Sequence, residues 1–152
     1  MSLGRIETIG TVSKSKEIFI PGETCKGEIT IRGKYLPCLK GLSEFSHILV
    51  IFSFSRPLPT KLEVNPMRNP KLPKIGVFAT RSPYRPTKLG VSTLRLLEIE
   101  GNILKVSGLD ALPGTPILDI KPYIPSRDSP KMAKVPAWIR KELAENGETR
   151  VR

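Results

Sequence analysis

Cysteine and histidine are scarce in this sequence, and their scarcity excludes several kinds of chemistry. Its 152 residues include only two cysteines, Cys25 and Cys38, and one histidine, His47. The cysteines form no C-x-x-C pair and the histidine has no neighbouring ligand cluster, so we expect no metal site. His47 adjoins an apolar segment and is better explained as a core or cleft residue than as the base of a hydrolytic triad.

Long apolar runs and glycine-rich phosphate loops are also absent. No segment approaches the roughly 20 apolar residues that cross a membrane, and no apolar signal segment opens the chain. We therefore expect a cytoplasmic protein without a membrane partner. Because no glycine-rich loop lies between a strand and a long helix, neither a Rossmann dinucleotide site nor a P-loop is supported, and a doubly wound fold is disfavoured.

Negative charge is in short supply. Lysine and arginine together number 25 against 14 aspartates and glutamates, which gives a formal net charge of +11. Such an excess attracts polyanions. On charge alone, RNA is the leading candidate partner and an acidic membrane surface is the second, and we expect RNA and not a membrane. The alternative is that the basic residues only keep the surface solvated, and charge alone does not decide between these interpretations.

Short apolar segments separated by turn residues predict β-structure. We interpret His47–Phe54 as a central strand buried on both faces, and Gly101-Asn102 as the turn of a hairpin. The predicted strands are Ile6–Val12, Glu28–Ile31, His47–Phe54, Val91–Ile99, Ile103–Val106 and Ile117–Ile120. This pattern favours a mainly β fold, a single antiparallel β-barrel domain over residues 1–152 with short helical segments and a C-terminal helix.

Proline marks the parts of the chain outside the predicted barrel. Arg56–Pro73 contains five prolines, which predicts an extended or mobile loop, either a plain connector or a functional segment. Pro136 suits the first position of a helix that ends near Asn146-Gly147, and we expect residues 144–152 to fray.

Two segments between the predicted strands combine rigid backbone with polar groups. Arg81 and Arg85 lie among prolines, an arrangement suited to gripping a carboxylate or a phosphate. The alternative is that these arginines only bond the carbonyls of their own loop. Pro113-Gly-Thr-Pro116 is a turn that either presents backbone groups to an adenosine or ribose, or simply joins two strands.

An acid, an amine and a phenol alternate in a further segment. If the strand continues, Asp119, Lys121 and Tyr123 lie on one face and Ile120 lies on the other. The three groups suit substrate alignment, proton transfer or binding of a cation. A structural Asp-Lys ion pair on the barrel wall explains the same residues.

Together these segments resemble a known family. Gly76-Val-Phe-Ala-Thr-Arg-Ser-Pro-Tyr-Arg-Pro86, Gly41-Leu with Phe45-Ser-His47, and Gly108-Leu-Asp through Lys121-Pro-Tyr123 resemble the TsaA-like (YaeB, TrmO) tRNA N6-methyltransferases over roughly residues 6–138. The resemblance implies a homodimeric β-barrel that uses S-adenosylmethionine, without a metal. It would methylate N6 of threonylcarbamoyladenosine beside the tRNA anticodon, so that the anticodon stem-loop is the implied partner.

The resemblance also assigns residues. Those implied to border the methyl donor are Phe54, Ser55, Arg56, Arg81, Arg85, Pro113, Gly114, Thr115 and Pro116. Those implied to line the reaction cleft are Asp119, Lys121 and Tyr123.

The sequence departs from the family pattern at several positions. Arg85-Pro-Thr-Lys-Leu-Gly90 stands where members usually have Arg-Pro-Asn-Pro, an aliphatic residue and Gly, and Ser55 replaces a frequent His. The usual N-terminal motif is altered in Ile9-Gly-Thr-Val-Ser-Lys-Ser15, and we expect no counterpart of the further domain of longer bacterial members. Two alternatives therefore remain, the same fold and donor with a different, small-molecule acceptor, or an RNA-binding barrel without transfer activity.

Overall fold

Six strands form the body of the molecule in a computed structural model that describes residues 6–15, 26–56 and 58–145. The strands are β1 Gly10–Lys14, β2 Lys26–Ile31, β3 His47–Ser53, β6 Leu89–Glu100, β7 Ile103–Ser107 and β8 Pro116–Pro122, with β4 and β5 in a separate small sheet. They pair antiparallel in the order β1-β2-β7-β6-β3-β8, and β8 returns to β1, so the barrel is closed. The predicted antiparallel β-barrel is confirmed.

The core fills the inside of this barrel with alternate side chains from each strand. Residues whose side chains are fully buried include Ile29, Ile48, Leu94, Leu104 and Ile117. Alternation follows from the strand geometry, because successive side chains point to opposite faces of a sheet. The barrel therefore has a buried inner face and an outer face whose side chains are mostly half-buried or exposed.

Strand β3 differs from its predicted burial. Every second residue of β3, from Ile48 to Phe52, is buried, and the residues between them are exposed or half-buried. The strand is therefore buried on one face only, and the expectation of two buried faces was wrong. A closed barrel has its core on one side only, and β3 lies between β6 and β8 as an equal member of the ring. The outward apolar residues Leu49 and Ile51 are half-buried. The continuous apolar run did not distinguish these positions from the fully buried ones.

The predicted hairpin is present. Strands β6 and β7 pair antiparallel around Gly101, which has a φ of +57° as this tight turn requires. Strand β6 begins at Leu89, earlier than predicted, and Gly90 lies against Phe52 of β3. A Cβ atom at position 90 would lie 2.4 Å from the Phe52 ring, so only glycine fits this close approach.

Within described residues 58–76, the chain forms a short sheet that the prolines did not predict. Strand β4, Glu63–Val64, pairs antiparallel with β5, Ile75–Gly76, and a 3₁₀ turn covers Pro66–Arg68. The prolines flank the paired residues, so the missing N–H groups do not interrupt this small sheet. Met67 and Arg68 both have positive φ values, which marks a tightly constrained bend.

The remaining elements are short. The first predicted strand, residues 6–12, is displaced to Gly10–Lys14, and 3₁₀ turns cover Gly33–Leu39, Leu42–Glu44 and Val77–Ala79. Helix α1 is Pro125–Asp128, and helix α2, Ala137–Glu145, confirms the C-terminal helix. Residues 144 and 145, which we expected to fray, belong to α2. The expected cap at residues 146–147, the tail beyond it and Cys25 lie outside the described residues. Within the described part of the chain, no helix is long and apolar enough to span a membrane.

Candidate functional site

A large cavity lies at one end of the barrel. The strand register brings the end of β3, the start of β6 and the segment before β8 to this end, since Ser53 pairs with Leu89 and Phe52 pairs with Ile117. Residues from these segments line a cavity of about 1940 Å³, together with the small sheet and helix α2. Single-ligand pockets are usually about 300–1000 Å³, so this cavity has room for more than one small molecule.

One wall of the cavity is residues 77–88, here called the Arg loop. Arg85 holds it together, because its Nε donates to Ser82 O at 3.1 Å and its Nη2 donates to Thr80 O at 2.7 Å and Val77 O at 3.2 Å. Arg85 lines the cavity, but these donors face the carbonyls of its own loop. This geometry matches the structural alternative for Arg85.

Side-chain hydrogen bonds add to the order of the Arg loop. Thr80 Oγ1 donates to Val77 O at 2.8 Å and accepts from Ser82 N at 3.2 Å, while Ser82 Oγ accepts from Tyr84 N at 3.3 Å. Short Ser and Thr side chains stabilise turns in this way. These hydrogen bonds hold the backbone on both sides of Arg81 in a fixed conformation.

Arg81 is the available cation of this wall. Its side chain is exposed, lines the cavity and has no hydrogen bond or ion pair with any residue that the structure describes. A planar guanidinium with free donors suits bidentate binding of a carboxylate or a phosphate. The two arginines thus differ, since Arg85 bonds the loop and Arg81 faces the open cavity.

The segment that follows β3 forms a second wall. Phe54, Ser55 and Arg56, which the family resemblance assigned to the methyl donor, all line the cavity. Phe54 N donates to Lys88 O at 2.9 Å. The Phe54 ring packs edge to face on the Phe52 ring, with 5.6 Å between the two ring centres. Arg56 is exposed and is one of several basic residues of the lining besides the two arginines of the Arg loop, the others being Lys61, Arg68 and Lys74.

The turn before β8 contributes less to the cavity than expected. Gly114 has a φ of +83° and its N–H donates to Val12 O at 2.8 Å, while Thr115 O accepts from Val12 N at 3.0 Å. The turn therefore uses these backbone groups to join β1 to the barrel. Thr115 lines the cavity and is nearly buried, whereas Pro113, Gly114 and Pro116 are outside the lining.

The predicted reaction stripe lies just beside the cavity. Lys121 Nζ is 2.7 Å from Asp119 Oδ2 on the outer face of β8, and Ile120 packs on the core side, so these three residues alternate as predicted. The ion pair is also the one that the structural alternative predicted. Tyr123 follows the end of β8, and its N–H donates to His47 O at 3.0 Å. None of the three stripe residues lines the cavity.

Strand pairing nevertheless places Asp119 next to the cavity edge. Asp119 pairs with Ile51 of β3, and Ile51 does line the cavity. Paired residues of neighbouring antiparallel strands point to the same face with their Cβ atoms about 4.5–5.5 Å apart. The Asp119 side chain therefore lies on the same face as Ile51, at the edge of the cavity.

Several residues of the cavity were missed from the sequence. Phe78 is 77% exposed within the Arg loop, Tyr84 has the Lys61 ammonium 4.7 Å from its ring centre, and Trp138 of helix α2 faces the same space. The sequence did offer a signal for Phe78 and Tyr84, because both aromatic residues lie within three positions of Arg81. Trp138 had no such signal, because only the folded chain brings helix α2 to the barrel end.

The shifted pKa values belong to surface pairs away from the cavity. Hydrogen bonding to Lys34 lowers the pKa of Glu7 and raises that of Lys34 in return, and hydrogen bonding to Lys105 lowers the pKa of Glu100. Lys105 has a raised pKa because it bonds Glu100 and Glu98. Among the described residues, no cluster of His, Cys, Asp or Glu is suited to hold a metal ion.

Comparisons with known proteins give a consistent result. The model of the tRNA-methyltransferase O N-terminal domain matches residues 19–129. A probable S-adenosyl-L-methionine-binding protein of Pyrococcus abyssi is 41% identical over 118 residues, which cover 78% of this chain and 62% of that protein. The tRNA (adenine(37)-N6)-methyltransferase of Homo sapiens is 44% identical over 102 residues, 64% of this chain and 22% of the relative.

A solved structure agrees with the fold. The crystal structure of TrmO from Pseudomonas aeruginosa superposes with a TM-score of 0.69 at 30% identity, over 88% of this chain and 62% of that one. The chain therefore spans less than two thirds of these proteins' lengths.

Proposed function

Because the chain belongs to the family of tRNA-methyltransferase O N-terminal domains, we propose that it transfers a methyl group from S-adenosylmethionine to tRNA. The acceptor in this proposal is N6 of threonylcarbamoyladenosine at position 37, beside the anticodon. The observation that carries it is the cavity at the barrel end, whose lining includes Arg81 and the segment Phe54, Ser55 and Arg56. The relatives named for this activity on adenine 37 align with 64% of the chain.

The chemistry of the cavity fits the donor. Arg81 is a free cation for the carboxylate of the methionine part, and Phe54, Phe78 and Tyr84 offer aromatic surface for an adenine. When bound, S-adenosylmethionine supplies a methyl group that its sulfonium has already activated. The chain's own residues then have to orient the two reactants and keep water away from them.

The outer edge of the cavity suits the acceptor. The Asp119 carboxylate, beside Ile51, accepts the N6 proton in this proposal, and Lys121 holds that carboxylate through the 2.7 Å ion pair. Ile120 N also donates to Asp119 Oδ1 at 2.8 Å, which fixes the carboxylate plane. Tyr123, at the end of the same strand, is available to contact the modified base.

The net charge of +11 supports an RNA acceptor. Lysine and arginine contacts to phosphates supply sequence-independent affinity, and an anticodon loop presents unpaired bases that can be extruded into a cavity. We also propose a cytoplasmic location, because tRNA is found there and the exposed Cys38 thiol is free.

A homodimer forms the last part of the proposal. On the outer face of the barrel, Ile51 of β3 pairs with Val91 of β6, and Leu49 is their half-buried neighbour on β3. Val91 is 45% exposed there, and Leu89 at the start of the same strand is 36% exposed. Both residues line the cavity, as Ile51 does, so a second copy bound here would border the cavity. An apolar patch of this kind on the outside of a barrel suits a second copy of the chain.

Calorimetric titration with S-adenosylmethionine tests the donor part of the proposal. We expect the wild-type chain to bind the donor, and we expect Arg81→Ala to weaken binding by about ten- to a hundredfold, the loss of one charge-assisted hydrogen-bonding partner. The matched control is Arg127→Ala in helix α1, which removes an exposed arginine outside the cavity lining.

The outcomes separate the functional alternatives. If the wild-type chain binds tRNA but not the donor, both enzyme interpretations are wrong and the RNA-binding barrel remains. Equal weakening by Arg81→Ala and Arg127→Ala would contradict the assignment of Arg81, because it would show an effect of net charge alone.

A further inference from the structure

A short segment of the chain lies along the Arg loop and closes one side of the cavity. It comprises residues 58–62, here called the strap. Lys61 N donates to Tyr84 O at 2.8 Å, and Leu62 O accepts from Val77 N at 2.9 Å. Leu58 and Lys61 line the cavity together with Tyr84, so the strap is part of the cavity wall.

Lys88 binds the other end of the strap. Its Nζ donates to Leu58 O at 2.7 Å and lies 3.3 Å from Thr60 Oγ1. Its own carbonyl accepts from Phe54 N at 2.9 Å. One residue therefore connects the Arg loop to the strap through its side chain and to the end of β3 through its backbone.

The backbone at Lys88 is unusual in a way that supports a specific role. Its φ is +52°, in the left-handed region that lysine rarely adopts. Such a conformation persists only where the surrounding structure fixes it, and these residues often occur at functional sites. Here the left-handed turn directs the half-buried Lys88 side chain along the strap.

The acceptors of the Lys88 ammonium are also informative. They are a carbonyl and a hydroxyl, and no carboxylate among the described residues pairs with this lysine. The ammonium is therefore not one half of a surface ion pair. Charge-assisted hydrogen bonds to neutral oxygens are stronger than exposed ion pairs and hold a segment in one geometry.

We propose that Lys88 is a positioning residue that holds the strap as a wall of the donor cavity. It acts through the strap and the Phe54 segment and is not a catalytic residue. The donor part of this inference rests on the function proposed above, while the structural part does not need a ligand.

Amide hydrogen exchange in Lys88→Gly tests the structural part. Glycine accepts the positive φ without strain, so this variant removes the ammonium without distorting the turn. We expect exchange at the Lys61 and Val77 amides, which bridge the strap and the Arg loop, to accelerate by about ten- to a hundredfold. Exchange at Ile29 in the barrel stays unchanged, and Lys88→Arg restores slow exchange.

Donor titration of the same variants tests the positioning role. Lys88→Gly is expected to weaken binding of S-adenosylmethionine by about tenfold or more while Lys88→Arg binds nearly as the wild type does. Lys40→Ala, which removes an exposed lysine outside the cavity, is the control and leaves both measurements unchanged.

Each result decides one part of the inference. Unchanged exchange at Lys61 and Val77 in Lys88→Gly overturns the inference. Faster exchange at these amides with unchanged donor affinity also overturns it, since Lys88 would then stabilise the loop without positioning the donor cavity. If the wild-type chain binds no donor, the proposed function fails, and the exchange data still decide whether Lys88 holds the strap.

Discussion

Arg81 and Arg85 are separated by three residues, but they have different surroundings. Arg85 donates to three backbone carbonyls of the Arg loop, whereas Arg81 has no partner within the described residues and faces the cavity. The family resemblance implied that both arginines border the methyl donor, whereas their position among prolines also allowed them to bond only the carbonyls of their own loop. The backbone path of the loop determines which guanidinium bonds its carbonyls. That path cannot be derived from the composition of the segment.

Position 88 shows a similar dependence on backbone conformation. The family pattern has proline there, but a proline ring holds φ near −65° and cannot adopt the +52° seen at Lys88. The loop of this chain therefore follows a path that the usual Arg-Pro-Asn-Pro segment would not share. The sequence identified the departure at Thr87-Lys88, and the structure supplies its physical consequence.

Gly90 offers a test of close packing at the cavity end. Gly90→Ala adds a Cβ atom 2.4 Å from the ring of Phe52, which is 4% exposed and has little room to move. We expect the free energy of unfolding to fall by about 1–3 kcal/mol, as measured by urea denaturation. Gly76→Ala is the control, since a Cβ there has no neighbour within 4 Å and should change stability little. Equal losses in the two variants would contradict the packing seen at Gly90.

At the scale of elements, the paired strands β3, β6 and β8 determine where the chemistry lies. Their register places Ile51 between Val91 and Asp119, so an apolar patch and the Asp-Lys pair share one outer face. The inner face of the same strands carries Ile48 and Leu94 of the core. One sheet thus separates a structural face from a face available for binding.

Oligomeric state tests the role of this outer face. We expect light scattering to give the mass of a dimer for the wild-type chain and of a single protomer for Val91→Glu, because the new charge would have to be desolvated at the interface. Leu97→Glu is the matched control, since Leu97 lies on the same strand and is 44% exposed against 45% for Val91. A dimer of unchanged affinity in Val91→Glu would exclude this face as the interface.

The elements themselves were largely predictable from local patterns. The Gly101-Asn102 turn and the C-terminal helix were found because each depends on residues close together in sequence. The pairing of Glu63–Val64 with Ile75–Gly76 was missed, since nothing in a proline-rich stretch indicates which short segments meet. Burial of β3 was misjudged because an apolar run does not distinguish a strand with two covered faces from one beside an apolar patch.

At the scale of the whole molecule, the cavity is a product of barrel closure. It combines the end of β3, the strap, the Arg loop, the segment before β8 and helix α2, which are distant in sequence. The sequence named many of its residues through a family resemblance, but their common location required the closed strand order. Trp138 shows the limit of sequence reasoning, since no local pattern connects helix α2 to the barrel end.

Methyl transfer to tRNA tests the proposed function most directly. The purified chain is incubated with S-adenosylmethionine and tRNA that carries threonylcarbamoyladenosine, and the nucleosides are then analysed by mass spectrometry. We expect one added methyl group on that nucleoside, and a rate about a hundredfold or more lower in Asp119→Asn at unchanged donor affinity. A bound donor without methylation at position 37, or full activity of Asp119→Asn, would contradict it.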